Sequence, residues 1–359
     1  MRPRLTPAMA DVRRAVRDAL IDCALFDPRT PVSGSEVHSR SQGGGALVLV
    51  ALSGGPDSLA LAAATAFEGP RAGLRAGAII VDHGLQPGSA QVAERAATQA
   101  RDLGLEPVVV RRVDVGSSGG PEAAARDARY AALEAARGET GAAAILLGHT
   151  LDDQAETVLL GLARGSGATS LQGMAAAAGP GGAHLRPLLG IRRATTVAAC
   201  ADQGLEAWTD PQNADIAFSR VRVRERVLPI LESELGPGIA EALARTAEQL
   251  REDAVALDAM TEELVEDLVL EGVDPVTEEP YPGGGISLPV AGLAANPPAI
   301  RHRLIRFVVQ AEFGRSLTRA QTLEVARLVT EWRGQGPIDL PGVTATRIGT
   351  SIVFTAAGV

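Results

Sequence analysis

The chain has 359 residues with 34 basic and 43 acidic side chains, a formal net charge of -9 at pH 7. All of these basic side chains are arginine, which excludes Walker-type P-loop NTPases, pyridoxal-phosphate enzymes and Schiff-base aldolases, because each needs a lysine amine. The length suits about two domains of roughly 150 residues. Apolar residues make up 46% and aromatic residues 3% of the chain, so small aliphatic side chains must fill the cores.

The chain begins with a stretch that predicts one short helix, over residues 10–25, followed by a loop rich in Pro, Ser and Gly over residues 27–45. Four apolar runs then predict buried strands, at residues 46–52, 76–81, 107–113 and 142–147. Alanine-rich segments with helical periodicity separate them, at residues 58–67, 89–103 and 121–137. Strands alternating with crossover helices of this length predict an α/β fold with a doubly wound parallel sheet.

Beyond residue 187 the periodicity predicts a different architecture. The predicted elements are a helix at 191–203, a last strand at 204–208, a turn-rich junction at 209–213, a segment at 218–235, a long acidic helix at 239–270, a linker at 281–285, helices at 299–313 and 318–332, and a hairpin of 336–343 with 346–354. We therefore expect a smaller, mostly helical C-terminal domain. The predicted organisation is a helix and flexible loop over 1–45, a catalytic domain over 46–216 and an accessory domain over 217–359.

Charge is distributed unevenly along this chain. Residues 252–300 contain eleven acidic side chains and no basic one, and without those charges the total of -9 becomes +2. Residues 301–359 carry eight arginines against four acidic residues. An acidic total thus leaves nucleic acid open as a partner, because the local patch decides whether phosphate is bound.

The cysteines and the hydropathy bear on the compartment. Cys23 and Cys200 lie far apart and form no C-x-x-C pair, which argues against a disulfide framework, a zinc site and a thiol relay. No stretch approaches the roughly 18 apolar residues of a membrane span. We expect a soluble protein of the cytoplasm.

The first predicted strand runs directly into a loop suited to phosphate, followed at once by a helix. The loop consists of Ser53, Gly54, Gly55, Pro56, Asp57 and Ser58. Two glycines permit a tight turn that presents N–H groups, and the helix N-terminus adds partial positive charge, so no lysine is needed. An aspartate beside a polyanion is explained by an intervening cation such as Mg²⁺, or by a role as a base.

Polar side chains also follow two neighbouring strands of the predicted sheet. Asp82 and His83 end the second strand; the fourth strand is followed by Gly148, His149, Asp152, Asp153 and Glu156. A strand-terminal turn or a helix cap would explain one of these residues, but not three polar clusters at neighbouring strand ends. The pattern predicts a nucleotide site with catalytic carboxylates.

These motifs resemble those of the PP-loop ATP pyrophosphatases. Residues 53–58 match the signature S-G-G-x-D-S, and residues 148–157 resemble the G-H-x-x-D-D-Q-x-E-T motif of one branch, the tRNA(Ile)-lysidine synthases. Further likeness lies at residues 81–85, 124–133 and 210–229. Val221 and Glu225 depart from the asparagine and basic residue of the last pattern, and beyond residue 231 the likeness to a helical substrate-binding domain is only general.

The resemblance implies a HUP-like fold and a specific reaction. An enzyme of this branch would bind ATP with Mg²⁺ and adenylate the C2 oxygen of the wobble cytidine in an isoleucine tRNA with a CAU anticodon. Free lysine would then attack C2 and expel AMP, so that the product, lysidine, makes the anticodon read AUA. A homodimer is one assembly that we consider for such an enzyme.

The resemblance and the residue chemistry together suggest roles for the site residues. The expected nucleotide-binding residues are Ser53, Gly54, Gly55, Pro56, Asp57, Ser58, Asp82, His83 and Gly148. The expected catalytic residues are Asp57, His149, Asp152 and Asp153, with Asp57 and Asp152 also expected to bind the metal. Glu156 is a candidate for the ammonium group of the lysine substrate, and the sequence leaves the division of roles among the catalytic residues open.

Arginines are the candidates for tRNA contacts. Arg220, Arg222, Arg224 and Arg226 follow one another at intervals of two. On a strand all four would line one face, whereas on a helix they would form two i,i+4 pairs. Either arrangement concentrates positive charge for phosphate, although a solvated arginine face would explain any one of them. Secondary candidates, for contact with either RNA or ATP, are Arg126, Arg129, Arg301, Arg303 and Arg306.

Three alternative functions are weighed against this one. A PP-loop tRNA thiolase generally moves sulfur through cysteines or a cluster, and both cysteines here lie outside the motifs. A nucleotide-binding regulator without catalysis would be favoured by a missing loop aspartate or a broken D-D-x-x-E pattern, and neither is missing. An ATP pyrophosphatase acting on a small metabolite is disfavoured mildly by the arginine-rich segment and the extra domain.

Overall fold

The computed structural model describes residues 5–22, 45–84, 88–114, 121–165, 167–210, 214–271 and 285–357. The chain divides into two compact units, Met1–Gln249 and Leu250–Val359. Within the described ranges no helix is long and apolar enough to cross a membrane.

The first unit is built on a six-stranded sheet. Its strands are β1 (Leu47–Ala51), β2 (Arg75–Asp82), β3 (Val108–Arg112), β4 (Ala144–Leu147), β5 (Ala177–Ala178) and β6 (His184–Leu185). Their order is β3-β2-β1-β4-β6-β5, and every pair is parallel except β5 with β6. The predicted doubly wound parallel sheet is confirmed, and the carboxyl ends of β1, β2 and β4 meet at one edge.

Helices cover both faces of this sheet. They are α1 (Pro7–Asp22), α2 (Pro56–Arg71), α3 (Ser89–Asp102), α4 (Pro121–Thr140), α5 (Leu151–Ala163), α6 (Ala168–Leu171) and α7 (Arg193–Asp202). Alternate residues of β1 enter two cores: Val48 packs with α1, α2, α3 and α7, and Leu49 packs with Leu133 of α4. Burial on both faces explains why the central strands are continuous apolar runs.

The N-terminal helix belongs to this catalytic core. Val16 and Leu20 are fully buried in it, whereas the sequence had placed residues 1–45 in a segment of their own. The apolar stripe of α1 must be covered, and the sheet unit covers it. Of the predicted loop at 27–45, residues 27–44 lie outside the described residues.

A helical extension follows the sheet and stays with the first unit until residue 249. It comprises α8 (Ser219–Arg222), a π-helical turn (Val223–Val227), α9 (Leu228–Leu235) and the first part of α10 (Ile239–Leu268). The sequence placed the domain boundary between residues 216 and 217 and ended the long helix at residue 270. The boundary differs because Val223 and Leu228 pack against Leu151 of α5.

The predicted strand at 204–208 is wrong. Residues 205–210 have no regular secondary structure, because Trp208 donates its backbone N–H to the carbonyl oxygen of Gly54 at 2.9 Å instead of pairing with a strand. The sheet is extended by β6 and β5, which the sequence did not reveal. Residues 211–213 of the predicted junction lie outside the described residues.

The second unit contains a five-stranded antiparallel sheet in addition to helices. Its elements after α10 are β7 (Leu270–Glu271), β8 (Ile286–Pro289), α11 (Val290–Ala295), α12 (Pro298–Phe313), α13 (Arg319–Thr330), β9 (Ile338–Leu340), β10 (Val343–Ile348) and β11 (Ser351–Ala356), with strand order β7-β8-β11-β10-β9. The expected helices are present, but the sheet makes "mostly helical" too simple a description.

The closing hairpin has a different register from the predicted one. Val343 pairs with Ala356 and Ile348 pairs with Ser351, so the turn lies at residues 349–350 rather than at 344–345. Gly349 has a φ of 55°, a left-handed conformation that glycine adopts without steric cost. The hairpin packs on α12 and α13 through Phe354, which is fully buried.

Candidate active site

The loop Ser53–Ser58, called here the phosphate loop, turns from β1 into α2. Gly54 has a φ of 83°, and Pro56 occupies the first turn of α2, as its fixed φ favours. The Ser58 hydroxyl donates to the carbonyl oxygen of Gly55 at 3.0 Å and accepts the N–H of Ser53 at 3.1 Å. The loop is thereby closed on itself, with the positive end of the α2 dipole beneath it.

Gly148 follows β4 and lies against this loop. A β-carbon on Gly148 would be 3.1 Å from the backbone nitrogen of Ser58 and 3.2 Å from the carbonyl carbon of Asp57. Only glycine fits without displacing the start of α2. Gly148 therefore lets the end of β4 lie against the phosphate loop, and its contact with a nucleotide stays a prediction.

A first cavity of about 190 Å³ opens beside the phosphate loop at the end of β2. Its polar lining includes Ser53, Asp82, His83, Arg129 and Trp208. The Asp82 carboxylate accepts the N–H of Gly84 at 2.9 Å. Asp82 and His83, two of the predicted nucleotide-binding residues, thus line the same cavity as Ser53 of the phosphate loop.

The charges in the first cavity are set by burial and by hydrogen bonds. Burial alone would raise the pKa of Asp82, but the Gly84 amide, the Ser89 hydroxyl and Arg112 outweigh it, so the pKa lies below its ordinary value. Burial and the neighbouring Arg129 lower the pKa of His83. Asp82 is therefore an ionised acceptor, and His83 is neutral at pH 7.

Four acidic residues and three arginines form a cluster between the phosphate loop and α5. We call it the acid–arginine cluster: Asp57, Asp152, Asp153, Glu156, Arg192, Arg193 and Arg224. The Arg193 guanidinium lies 2.7 Å from Asp153 (Nη2 to Oδ1), 3.3 Å from Glu156 (Nη1 to Oε1) and 3.4 Å from Asp57 (Nε to Oδ2). The structure thus brings together the acidic side chains that the sequence placed at two strand ends.

Asp153 has both a structural and an electrostatic partner. Its Oδ2 accepts the backbone N–H of Thr150 at 2.8 Å, and its own N–H donates to the Thr150 hydroxyl, which forms the capping box of α5. Burial raises the pKa of Asp153, but Arg193 and the Thr150 hydrogen bonds outweigh this effect and hold the pKa below its ordinary value. Asp153 is thus ionised and fully engaged.

Glu156 is completely buried. Arg224 binds it through two contacts, Nε to Oε1 at 2.7 Å and Nη2 to Oε2 at 3.1 Å. This two-pronged geometry is the strong form of an arginine–carboxylate pair. Glu156 therefore anchors the helical extension to α5, and guanidinium groups already bind both of its oxygens.

Asp57 and Asp152 are the two more accessible carboxylates of the cluster. Burial raises the pKa of Asp57, opposed by the Thr196 hydroxyl and by Arg193; the Thr196 hydroxyl donates to Asp57. Asp152 lies 3.0 Å from Arg192 (Oδ1 to Nη2) and accepts the backbone N–H of Arg193 at 2.7 Å. The first turn of α7 therefore positions both carboxylates, and Arg192, which precedes α7, adds a contact to Asp152.

A second cavity of about 140 Å³ lies on the other side of the cluster. Its charged lining residues are Asp152, Glu156, Arg192, Arg193, Arg224 and Glu232. Glu232 accepts the N–H groups of Gly238 at 2.7 Å and Ala240 at 3.1 Å, and these hydrogen bonds lower the pKa of Glu232. Acidic and basic groups face one another across this cavity, a lining suited to a zwitterion.

The arginine series lies on a helix and not on a strand. Arg220 and Arg224 point inward, since Arg220 donates to the Thr157 hydroxyl at 3.3 Å and Arg224 binds Glu156. Arg222 and Arg226 are exposed. Two arginines are thus internal pairing partners and two remain on the surface.

His149 is uncharged at neutral pH. Burial, together with three nearby arginines, lowers the pKa of His149 to about 3 despite the opposing charge of Asp153, so this imidazole is neutral at pH 7.

The secondary arginine candidates lie in both units. Arg126 is exposed and lies 5.0 Å from the Tyr130 ring. In the second unit, Arg303 pairs with Asp258 at 2.7 Å, and Arg301 donates to the carbonyl oxygen of Leu293 at 2.8 Å; Arg306 also lies on α12.

Two described protein families match parts of this chain. Residues 36–231 match the family described as PP-loop domain, and residues 288–348 match the TilS substrate binding domain. A tRNA(Ile)-lysidine synthase from Leifsonia xyli is 63% identical over 310 residues, covering 86% of this chain and 90% of that protein. One from Streptomyces coelicolor is 51% identical over 363 aligned positions, covering 97% and 98%. The chain belongs to the tRNA(Ile)-lysidine synthase family.

The fold is shared more widely. A U34-tRNA thiolase from Methanococcus maripaludis, solved with its [4Fe-4S] cluster, matches with a TM-score of 0.55 at 19% sequence identity, over 68% of this chain and 79% of that chain. This likeness concerns the fold alone. In the present chain the Cys200 thiol is buried, donates to the carbonyl oxygen of Pro56 at 3.2 Å and has a pKa raised to about 12 by burial and Asp57, so it is unsuited to sulfur transfer. Cys23 lies outside the described residues.

Sequence reasoning missed Arg192, Arg193 and Thr196. All three lie at the beginning of α7, a segment without a recognised motif. A signal was present: two adjacent arginines at the N-terminus of a helix oppose the helix dipole. Such a placement requires carboxylate partners, and these are supplied by α2 and α5.

The carboxylates also permit a test of fit for Mg²⁺. Among the described residues no three His, Cys, Asp or Glu side chains are arranged to hold a metal ion, since arginines occupy most of the carboxylate oxygens. Magnesium at nucleotide sites is commonly bound by one or two carboxylates together with substrate phosphates. Asp57, a phosphate-loop residue at the start of α2, fits that kind of site.

Proposed function

We propose that the chain ligates free lysine to C2 of the wobble cytidine in an isoleucine tRNA with a CAU anticodon, converting ATP to AMP and pyrophosphate. One observation carries this proposal: the phosphate loop and the acid–arginine cluster connect two cavities of different character. Ser53 lines the first cavity, Asp57 of the same loop contacts Arg193, and Arg193 lines the second cavity. Membership of the family supports the same reaction.

The first cavity and the phosphate loop would bind ATP. Asp82 and Trp208 would contact the nucleoside, and the loop amides and the α2 N-terminus would face the phosphates. Asp57 would hold Mg²⁺, which when bound neutralises charge on the departing pyrophosphate. The cytidine O2 then bonds to the α-phosphorus as the bond to pyrophosphate breaks.

The second cavity would bind lysine. Arg192 suits the α-carboxylate, and Asp152 and Glu232 suit the ammonium groups, whereas the complete burial of Glu156 against Arg224 removes it from that role. With a pKa near 10.4, only about one lysine amine in 10³ is neutral at pH 7. Asp152 is therefore the residue we expect to accept the proton when the amine attacks C2 and AMP departs.

The exposed arginines of the helical extension would contact tRNA phosphate. Arg222 and Arg226 lie on the surface next to the cluster, while Arg220 and Arg224 are occupied internally. Surface guanidinium groups bind phosphate mainly through charge, with a strong dependence on salt. Arg222 is partly committed, since it donates to the carbonyl oxygen of Ala217 at 2.6 Å, which leaves Arg226 as the better candidate.

The decisive experiment is incorporation of labelled lysine. We expect ATP-dependent transfer of the label to an isoleucine tRNA transcript with a CAU anticodon, together with pyrophosphate release. The matched transcript with a UAU anticodon lacks the cytidine and should accept none. If folded enzyme releases no pyrophosphate and forms no lysine-tagged RNA, the proposed reaction is wrong.

The lysine cavity has a separate test in Glu232→Gln. Glutamine has nearly the same shape and keeps an oxygen acceptor for one of the two amides, Gly238 or Ala240, but removes the charge. We expect the KM for lysine to rise about tenfold or more, the effect of losing one charge-assisted hydrogen bond, with unchanged tRNA adenylation. The control is Glu234→Gln on the exposed side of α9. An unchanged lysine KM in Glu232→Gln would place lysine elsewhere.

We also infer a cytoplasmic location, because ATP, lysine and tRNA occur together there. The assembly is a separate question: sedimentation of the purified chain distinguishes a 37.0 kDa monomer from a homodimer of twice that mass.

A further inference from the structure

One residue contacts every acidic side chain of the acid–arginine cluster. The guanidinium of Arg193 reaches Asp57, Asp153 and Glu156, and its backbone N–H donates to Asp152 at 2.7 Å. No other described residue has ion pairs or hydrogen bonds to all four. Arg193 is therefore the centre of the cluster.

The four carboxylates come from two separate parts of the chain. Asp57 begins α2, while Asp152, Asp153 and Glu156 belong to α5. Carboxylates brought this close repel one another unless a cation lies among them. The Arg193 guanidinium supplies that cation and is the side-chain link between Asp57 and α5.

The first turn of α7 holds Asp57 at both oxygens. Arg193 approaches Oδ2, and Thr196, one turn later, donates to Oδ1. The direction of the Asp57 side chain is thus set by α7 and not by its own helix. An aspartate held in this way is ready to meet the metal–nucleotide complex, because its orientation is already fixed before the ligand enters.

We propose that Arg193 is a positioning residue for adenylation: by tying Asp57 to α5, it presents this carboxylate to the Mg²⁺ of the ATP complex. This inference rests on the proposed function. Arg193 need not touch the reacting atoms, because it acts through Asp57. Loss of the guanidinium frees Oδ2 of Asp57 and removes its side-chain link to α5. Asp153 and Glu156 then retain only Arg224 as a shared cation.

The experiment measures ATP affinity with and without Mg²⁺, in the absence of tRNA and lysine. Trp208 lines the first cavity and serves as a fluorescent reporter in a Trp332→Phe background, which removes the tryptophan of the second unit. We expect Arg193→Gln to weaken binding of ATP with Mg²⁺ at least tenfold while binding of ATP alone changes less than twofold. A residue that merely stabilised the fold would weaken both equally, and that result would overturn the proposal.

Two further measurements distinguish a positioning role of Arg193 from an effect on protein folding. Arg193→Lys keeps the charge but loses the planar fork, so it should recover part of the Mg²⁺ dependence. Added guanidinium ion at low millimolar concentration should restore binding to Arg193→Ala, and neutral urea should not. If neither Arg193→Lys nor added guanidinium ion restores binding of ATP with Mg²⁺, the positioning role is refuted.

A control variant and the wild type distinguish failure of the proposed function from failure of the role assigned to Arg193. Arg137→Gln removes an arginine of similar side-chain exposure, 28% against 23% for Arg193, from an ion pair with Glu134, and it should leave both affinities unchanged. If the wild type itself binds no ATP with Mg²⁺, the proposed function fails. If the wild type binds and Arg193→Gln keeps the full Mg²⁺ dependence, only the role of Arg193 is refuted.

Discussion

The substitution Glu156→Gln would test whether the most deeply buried acid of the site serves the fold or the ligand. Glu156 is fully buried and is bound by Arg224 at 2.7 and 3.1 Å and by Arg193 at 3.3 Å. Glutamine has nearly the same shape but no charge, so three guanidinium groups, including Arg220 at 4.0 Å, lose a shared partner inside the protein. The structural interpretation predicts a loss of stability rather than a specific loss of lysine binding.

The magnitude follows from the burial. Breaking a buried ion pair by removing one partner costs about 3–5 kcal/mol, because the other charge stays buried and uncompensated. Glutamine can still accept one hydrogen bond from Arg224, so we expect the lower end, about 3 kcal/mol of unfolding free energy. For a unit of 249 residues, this corresponds to a fall in Tm of about 6–12 °C.

Urea and thermal unfolding followed by circular dichroism would measure this loss. The control is Glu139→Gln, which removes the partner of Arg111 from a pair whose glutamate side chain is 59% exposed, and it should cost less than about 1 kcal/mol. The double variant Glu156→Gln/Arg224→Gln should regain part of the lost stability, because it also removes the Arg224 charge, whose remaining acidic partner is Asp153 at 3.6 Å. Wild-type stability in Glu156→Gln, combined with a raised lysine KM, would refute the reasoning and return Glu156 to the ligand.

Three further outcomes are expected. Gly148→Ala should weaken ATP binding several-fold with unchanged circular dichroism, because its β-carbon would lie 3.1 Å from the Ser58 nitrogen; equal affinity would contradict the close approach. Arg226→Ala should weaken tRNA binding and reduce the slope of log K against log salt by about 1, and an unchanged slope would exclude a phosphate contact. His149 has a folded pKa of about 3 against an ordinary 6.5, so the unfolded state binds more protons and stability should fall as pH drops from about 6.5 towards 3. His149→Gln should flatten that decline in urea titrations at several pH values, and an equally steep decline would disprove it.

The sheet of the first unit was predictable because its signal is local. Val48 and Leu49 are neighbours in sequence that enter opposite cores, and a strand buried on both faces must be apolar throughout. The phosphate loop was predictable for a similar reason, since strand, glycines, aspartate and helix follow one another directly. Asp82 and His83 were found because a strand end identifies the edge of the sheet.

The errors occurred where contacts between distant segments decide the structure. A strand was predicted at residues 204–208, but the carbonyl oxygen of Gly54 accepts the backbone N–H of Trp208, and this segment does not pair with the sheet. The antiparallel sheet of the second unit contains strands as short as β7, with two residues, and a period of two cannot be recognised over such a length. The register of the last hairpin depended on Gly349, one glycine among 40.

The division of labour among the arginines could not be predicted from spacing alone. Arg220 to Arg226 look equivalent in sequence, yet alternate members face a buried glutamate and the solvent. Arg193 was missed because its partners are 136 and 40 positions away in the chain, at Asp57 and Asp153. Such partners become visible only when the sheet has brought the strand ends together.

The balance between the four carboxylates of the acid–arginine cluster and the guanidinium groups paired with them has a consequence for the order in which ligands enter. Four carboxylates, at Asp57, Asp152, Asp153 and Glu156, meet four guanidinium groups, at Arg192, Arg193, Arg220 and Arg224. Their formal charges cancel, so an isolated divalent cation meets no excess of negative charge and must compete with arginines already in place. A cation that arrives with a polyphosphate brings its own compensating charge. On the proposed function, Mg²⁺ would therefore enter as part of the nucleotide complex, and nucleotide and metal would bind in one event instead of two.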